Sequence, residues 1–175
     1  DSGVVICKLI ENFEEKMNDR NTKTRLAFAK HIIELEDELF KMSEMVVSSI
    51  HRSFEVLKSR NIEEAKKVVD DDFLINTKRH EIEDKCIGLI GTQQPVARDL
   101  RELITLLNII SELERMADHA KGVAKIVVKM GTEPLVKPLE DIPKMVEISA
   151  FMTSRSLEAF LKRDTHIAIS VCEED

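Results

Sequence analysis

The chain is 175 residues long, 43% apolar and 34% charged, with a formal net charge of −7, seven Phe and neither Trp nor Tyr. That length carries one or two small domains with a real hydrophobic core, and the acidic balance repels a phosphate backbone and argues against nucleic acid as a ligand. A chain without Trp or Tyr also lacks the usual material for a base-stacking surface or an aromatic cage.

In chain order, the first strong pattern begins at Phe28. Ile32, Leu35, Leu39, Met42, Val46, Ser49, Ser53 and Val56 follow at alternating steps of four and three, which predicts one long amphipathic helix over Thr24–Ser59. Upstream, Ile6, Ile10, Phe13 and Met17 also stand at helical spacing. Asn61, with Glu64 three residues on, forms a capping box for a second helix. Val68, Ile75, Ile82 and Leu89 stripe that helix, and Gly91 is expected to stop it. A third helix is expected from Thr92 or Gln94, with Pro95 in its first turn, where a missing N–H is harmless. Its stripe is read as Val96, Leu100, Leu103, Leu107 and Ile110, and Gly131 ends it. Pro134, Pro138 and Pro143 mark a linker. A fourth helix then runs to about Lys162, and Asp164 caps a fifth.

The chain repeats itself. Shifted by 103 residues, Lys41–Asp72 lies on Lys144–Asp175 without a gap, and 10 of 32 positions are identical. Arg60-Asn61 falls on Arg163-Asp164, so the turn coincides along with the helices. In this register the second unit holds one full helix and the first turns of the next.

Chemistry is concentrated in carboxylates. Glu114 and Asp118 stand four apart, so they leave one side of the third helix a turn apart. The stripe that carries Ile110 is read as turning acidic there, and acids on a core-facing side need a neutralising cation. Asp72 and Asn76 repeat the spacing on the second helix. Oxygen ligands of this kind suit hard cations. The bland reading leaves Glu114 and Asp118 on a solvated end beside Arg115 and Lys121. The first two acids of the run Asp70-Asp71-Asp72 are expected in solvent and the third inside. His119 points to a different sector from Asp118. The remaining histidines, His31, His51, His80 and His166, are scattered, and no nucleophilic constellation or glycine-rich phosphate loop occurs. A ferritin-like di-iron site needs Glu-x-x-His on two helices, and the sequence has none. Cys7, Cys86 and Cys172 are far apart and without a CxxC, which suits buried thiols in a reducing compartment. With no membrane-length apolar run and no signal-peptide pattern in view, a cytoplasmic protein is expected.

The stretch Pro95-Val96-Ala97-Arg98-Asp99-Leu100-Arg101, followed by Glu114-Arg115-Met116-Ala117-Asp118-His119-Ala120, resembles the signature of PhoU proteins. That pattern reads Pro-x-Ala-x-Asp-Leu-Arg, then Glu-Arg-x-x-Asp-His. The resemblance covers Thr24 to Asp175 and implies an all-α fold of tandem three-helix bundles, the second incomplete in this chain. On that basis residues 1–16 are an N-terminal extension or an extraneous segment. Residues 17–131 form the first unit, 132–137 a linker, and 138–175 the start of the second unit. The resemblance implies a non-enzymatic negative regulator of high-affinity phosphate uptake and phosphate-responsive signalling. The implied partners are the ATPase subunit of the phosphate ABC transporter, a sensor histidine kinase and a second copy in a homodimer, with the membrane reached only through those partners. Similar proteins bind metal clusters through Glu/Asp-x-x-x-Asp motifs. Glu114 and Asp118 match such a motif in full, and Asp72 matches with Asn76 in place of the second acid. The implied metal is iron, or Mg, Mn or Zn. The alternative is a metal-free helical protein-interaction module.

Overall fold

The computed structural model describes the backbone of residues 2–135 and 137–174 and the side chains of residues 25–135 and 137–174. The side chains of Ile6, Cys7, Ile10, Phe13, Met17 and Asp175 lie outside the described residues. Five helices follow one another: α1 (Ser2–Ser59), α2 (Ile62–Gln93), α3 (Arg98–Met130), α4 (Ile142–Lys162) and α5 (Thr165–Glu174). The fold is all-α, with no strand among the described residues. None of these helices is long and apolar enough to cross a membrane.

The chain divides into two compact units, Asp1–Leu35 and Glu36–Asp175. In the first, Phe28, Ile32 and Leu35 are buried, as their spacing predicts. In the second, Leu39, Met42, Val46, Ser53 and Val56 of α1 are buried. Each large apolar side chain so removed from water contributes about 1.5–3 kcal/mol before entropy is counted. On α2 the buried positions Val68, Ile75, Ile82 and Leu89 are the predicted stripe, joined by Ala65, Asp72 and Cys86.

The α1–α2 corner is built locally. Arg60 takes a left-handed φ of 57°, and its N–H reaches the Val56 carbonyl at 2.8 Å, closing the helix end as a left-handed cap does. Asn61 Oδ1 accepts from the Glu64 N–H at 3.1 Å. Only this half of the expected capping box forms. The Glu64 carboxylate instead accepts from Arg52 at 3.1 Å and Lys67 at 3.0 Å. Beside the corner, Val56, Ala65, Val68, Ala124 and Val127 form one apolar cluster that joins α1, α2 and α3.

The α2–α3 connection departs from expectation. α2 continues past Gly91 to Gln93, and Gln94 caps it with φ 46°. One glycine costs a helix only about 1 kcal/mol, whereas Pro95 drives the residue before it out of the helical region. Pro95 therefore lies in the connection, and α3 begins at Arg98 behind Ala97 at φ 49°. The α3 stripe also differs. The buried residues are Leu103, Leu106, Ile110, Leu113, Ala117, Ala120, Ala124 and Val127. Val96 is 75% exposed, and Leu100 and Leu107 are only partly buried. Gly131 ends α3 at φ 61°, as expected.

α4 and α5 rebuild the first corner 103 residues later. Arg163 has φ 54°, and Asp164 Oδ1 accepts from the N–H groups of His166 at 2.8 Å and Ile167 at 3.3 Å.

A candidate charge-compensated site on α2 and α3

Among the described residues Asp72 is the one buried carboxylate, 4% exposed on the face of α2 that packs on α3. It sits there because α2 keeps its buried period through Val68, Asp72 and Ile75. A carboxylate so placed is strongly unfavourable unless it is paired and hydrogen-bonded. Both conditions are met. Lys121, from α3, donates to Asp72 Oδ2 at 2.6 Å, and Asn76 Nδ2 donates to the same oxygen at 2.8 Å. The hydrogen bond with Asp72, opposed by burial, holds Lys121 above its ordinary ammonium value. Lys121 Nζ also stands 3.6 Å from Asp118 Oδ1.

The four predicted site residues therefore divide. Asp72 and Asn76 are in direct contact, and Asp118 joins them through Lys121. Asp118 is itself 54% exposed. Glu114, one turn earlier on α3, is partly buried at the edge of the stripe. The expectation that the apolar stripe turns acidic at Glu114 is corrected by the packing. The stripe passes instead through Leu113 and then through three alanines, Ala117, Ala120 and Ala124. Asp70 and Asp71 behave largely as expected. Asp70 is exposed, and Asp71 is half-exposed in an ion pair with Arg52 at 2.7 Å. Among the described residues, no group of three or more His, Cys, Asp or Glu side chains is gathered to hold a metal ion.

Lys121 is the residue that sequence reasoning passed over. Three positions after Asp118, it reads as one member of an ordinary exposed pair. The missing signal lies on another helix: Asp72, 49 residues away, faces Lys121 once α2 and α3 pack antiparallel. Of the two cysteines among the described residues, Cys172 is exposed, against the expectation of buried thiols. Cys86 is buried, and that burial pushes its thiol up to about 11, far from the thiolate that nucleophilic chemistry needs. His119 is exposed on α3.

A second feature is an open, mostly apolar groove of about 580 Å³, lined by Ile50 of α1, Met116 and Val123 of α3, and Met145, Val146 and Met152 of α4.

Comparison with known proteins places these features. A family model described as the PhoU domain matches residues 39–127, the stretch that carries the paired α2 and α3 residues. A phosphate-specific transport system accessory protein PhoU homolog from Aquifex aeolicus is 35% identical over 146 residues, 83% of this chain and 66% of the relative. The homolog of the same description from Clostridium acetobutylicum is 34% identical over 153 residues, 87% of this chain and 70% of its own length. This chain thus spans just under two thirds of the first relative. The crystal structure of the phosphate transport system regulatory protein PhoU from Streptococcus pneumoniae superposes with a TM-score of 0.76 at 29% identity, covering 84% of this chain and 69% of that one.

Proposed function

The chain belongs to the PhoU family, and on that premise we propose that it is a regulatory accessory protein of the phosphate-specific transport system. In this reading it acts in the cytoplasm as a helical adaptor. It damps phosphate uptake and signalling by docking on the transporter's ATPase subunit and on the associated sensor histidine kinase. The observation that carries the reading is the extent of the likeness. More than four fifths of the chain aligns, in sequence and in fold, with proteins named for that accessory role. The architecture suits it as well, since long packed helices present rigid faces for partner elements.

The test is retention of the purified ATPase subunit on the immobilised chain. Binding above that of an unrelated helical bundle supports the adaptor role. Retention equal to the control overturns it.

A finer form of the proposal adds metal, with Glu114, Asp118, Asp72 and Asn76 as ligands for iron, Mg, Mn or Zn. The donor atoms are of the right chemical kind, but their present partners do not fit an ion. The inner oxygen of Asp72 is already bonded to an ammonium and an amide N–H. The metal-free form of the adaptor is therefore the one this geometry favours, and no step of the proposed role runs through a metal.

A further inference from the structure

We propose that Lys121 is the resident cation of the Asp72 pocket and that it bars divalent metal from that position. The inference rests on the family reading above only in taking a metal ion as the competing occupant.

The geometry is specific. Oxygen ligands hold Mg²⁺ or Mn²⁺ at about 2.0–2.2 Å and larger hard cations out to about 2.6 Å. An ion shared by Asp72 Oδ2 and Asp118 Oδ1 would lie between those oxygens, where Lys121 Nζ now stands at 2.6 Å from one and 3.6 Å from the other. Metal entry requires the ammonium to leave. For Asn76 to join as a ligand its amide must also turn over, because Asn76 now offers an N–H rather than an oxygen. The charges already suffice without a metal. The buried Asp72 carboxylate is matched by one ammonium, and Asp118 is half in water, where solvent carries its charge. Lys121 is itself only 24% exposed, so it is a packed partner rather than a lysine free to swing out into solvent.

A cation with this role leaves a distinct pattern when it is removed. Melting curves with and without Mn²⁺, and electron paramagnetic resonance of bound Mn²⁺, are read on the whole chain and on Lys121→Met, Asp72→Asn and the double variant. The wild type is expected to take up no Mn²⁺ and to melt unchanged in its presence. Lys121→Met strands Asp72 and is expected to melt about 6–20 °C lower, to bind Mn²⁺ and to regain much of the loss. The double variant strands no charge. It is expected to melt close to the wild type and to ignore Mn²⁺. Should Lys121→Met fail to fold alone, recovery on refolding in Mn²⁺ supports the proposal. Failure to recover while the double variant folds overturns it. Mn²⁺ binding by the wild type that disappears in Asp72→Asn also overturns it. Retention of the ATPase subunit by the wild type no better than the control, with these melts as expected, counts against the adaptor role alone.

Discussion

The end of α1 and the end of α4 share a sequence pattern, yet they bury different faces. At the corners the two agree closely: left-handed Arg60 and Arg163 are followed by caps Asn61 and Asp164. Along the helices they part. Met42 and Val46 of α1 are wholly buried, whereas Met145, the counterpart of Met42, is 59% exposed. Ser53 is buried and its counterpart Ser156 is exposed. α4 buries Ala150, Thr153 and Leu157 instead; of the repeated stripe it keeps Ala159, the counterpart of Val56, buried and leaves Met145, Ser149, Met152 and Ser156 lining the groove. A corner is specified by the few residues that form it. Burial is specified by whatever lies opposite, which a repeat in one segment does not encode.

The sharpest test compares the two methionines. Met42→Ala opens a cavity in a filled core and is expected to lower stability by about 2–5 kcal/mol in urea unfolding. Met145→Ala removes a side chain already largely in water and is expected to change it by no more than about 0.5 kcal/mol. Similar losses at both sites would break the comparison by placing the α4 stripe in a core.

The corners should respond alike and more modestly. Asn61→Ala and Asp164→Ala each remove an N-cap acceptor, at about 1 kcal/mol. The first is read by urea unfolding. The second is read by amide exchange in α5, because a short helix opens locally before the whole chain unfolds. A loss at one corner alone would show that the turns are equivalent in shape but not in stability.

The smallest effect separates the corners by charge. The Arg60 guanidinium donates to a neutral carbonyl, that of Glu133. The Arg163 guanidinium donates to the Glu102 carboxylate, close to Glu36. Burial, and then repulsion from Glu102, raise Glu36 above its ordinary 4.5, against the pull of Arg163. The folded chain therefore binds that proton more tightly than the unfolded chain. This contribution is fully present below 4.5 and is lost as pH rises through the folded value. Glu36→Gln should remove the fall in stability that begins as pH rises past 4.5, read by urea midpoints, with no such change attached to Arg60. An unchanged slope would remove the charge difference between the corners.

Much of this was written in local pattern. The stripes of α1 and α2, the caps Asn61 and Asp164 and the stop at Gly131 follow from spacing and turn chemistry over a few residues. The α3 stripe did not, because its inner half is alanine. Ala117, Ala120 and Ala124 carry too little apolar signal to outweigh the larger Val96 and Leu107, yet small side chains are what let α3 approach its neighbours. Asp72 was legible as the interior acid of its run, since it shares a period with Val68. Its neutralisation by Lys121 was not, because the two meet only through the register of one helix on another.

A counter-charge carried on the chain differs in kind from one drawn from solution. Lys121 is tethered next to Asp72, so its local concentration is set by the α2–α3 packing rather than by any cellular ion pool. Chelators have nothing to strip from that contact, and mass action, which makes the stability of an ion-loaded fold follow the supply of its ion, does not reach it. With Lys121 as the proposed counter-charge, the Asp72 contact keeps its charge balance through metal famine and metal surplus alike.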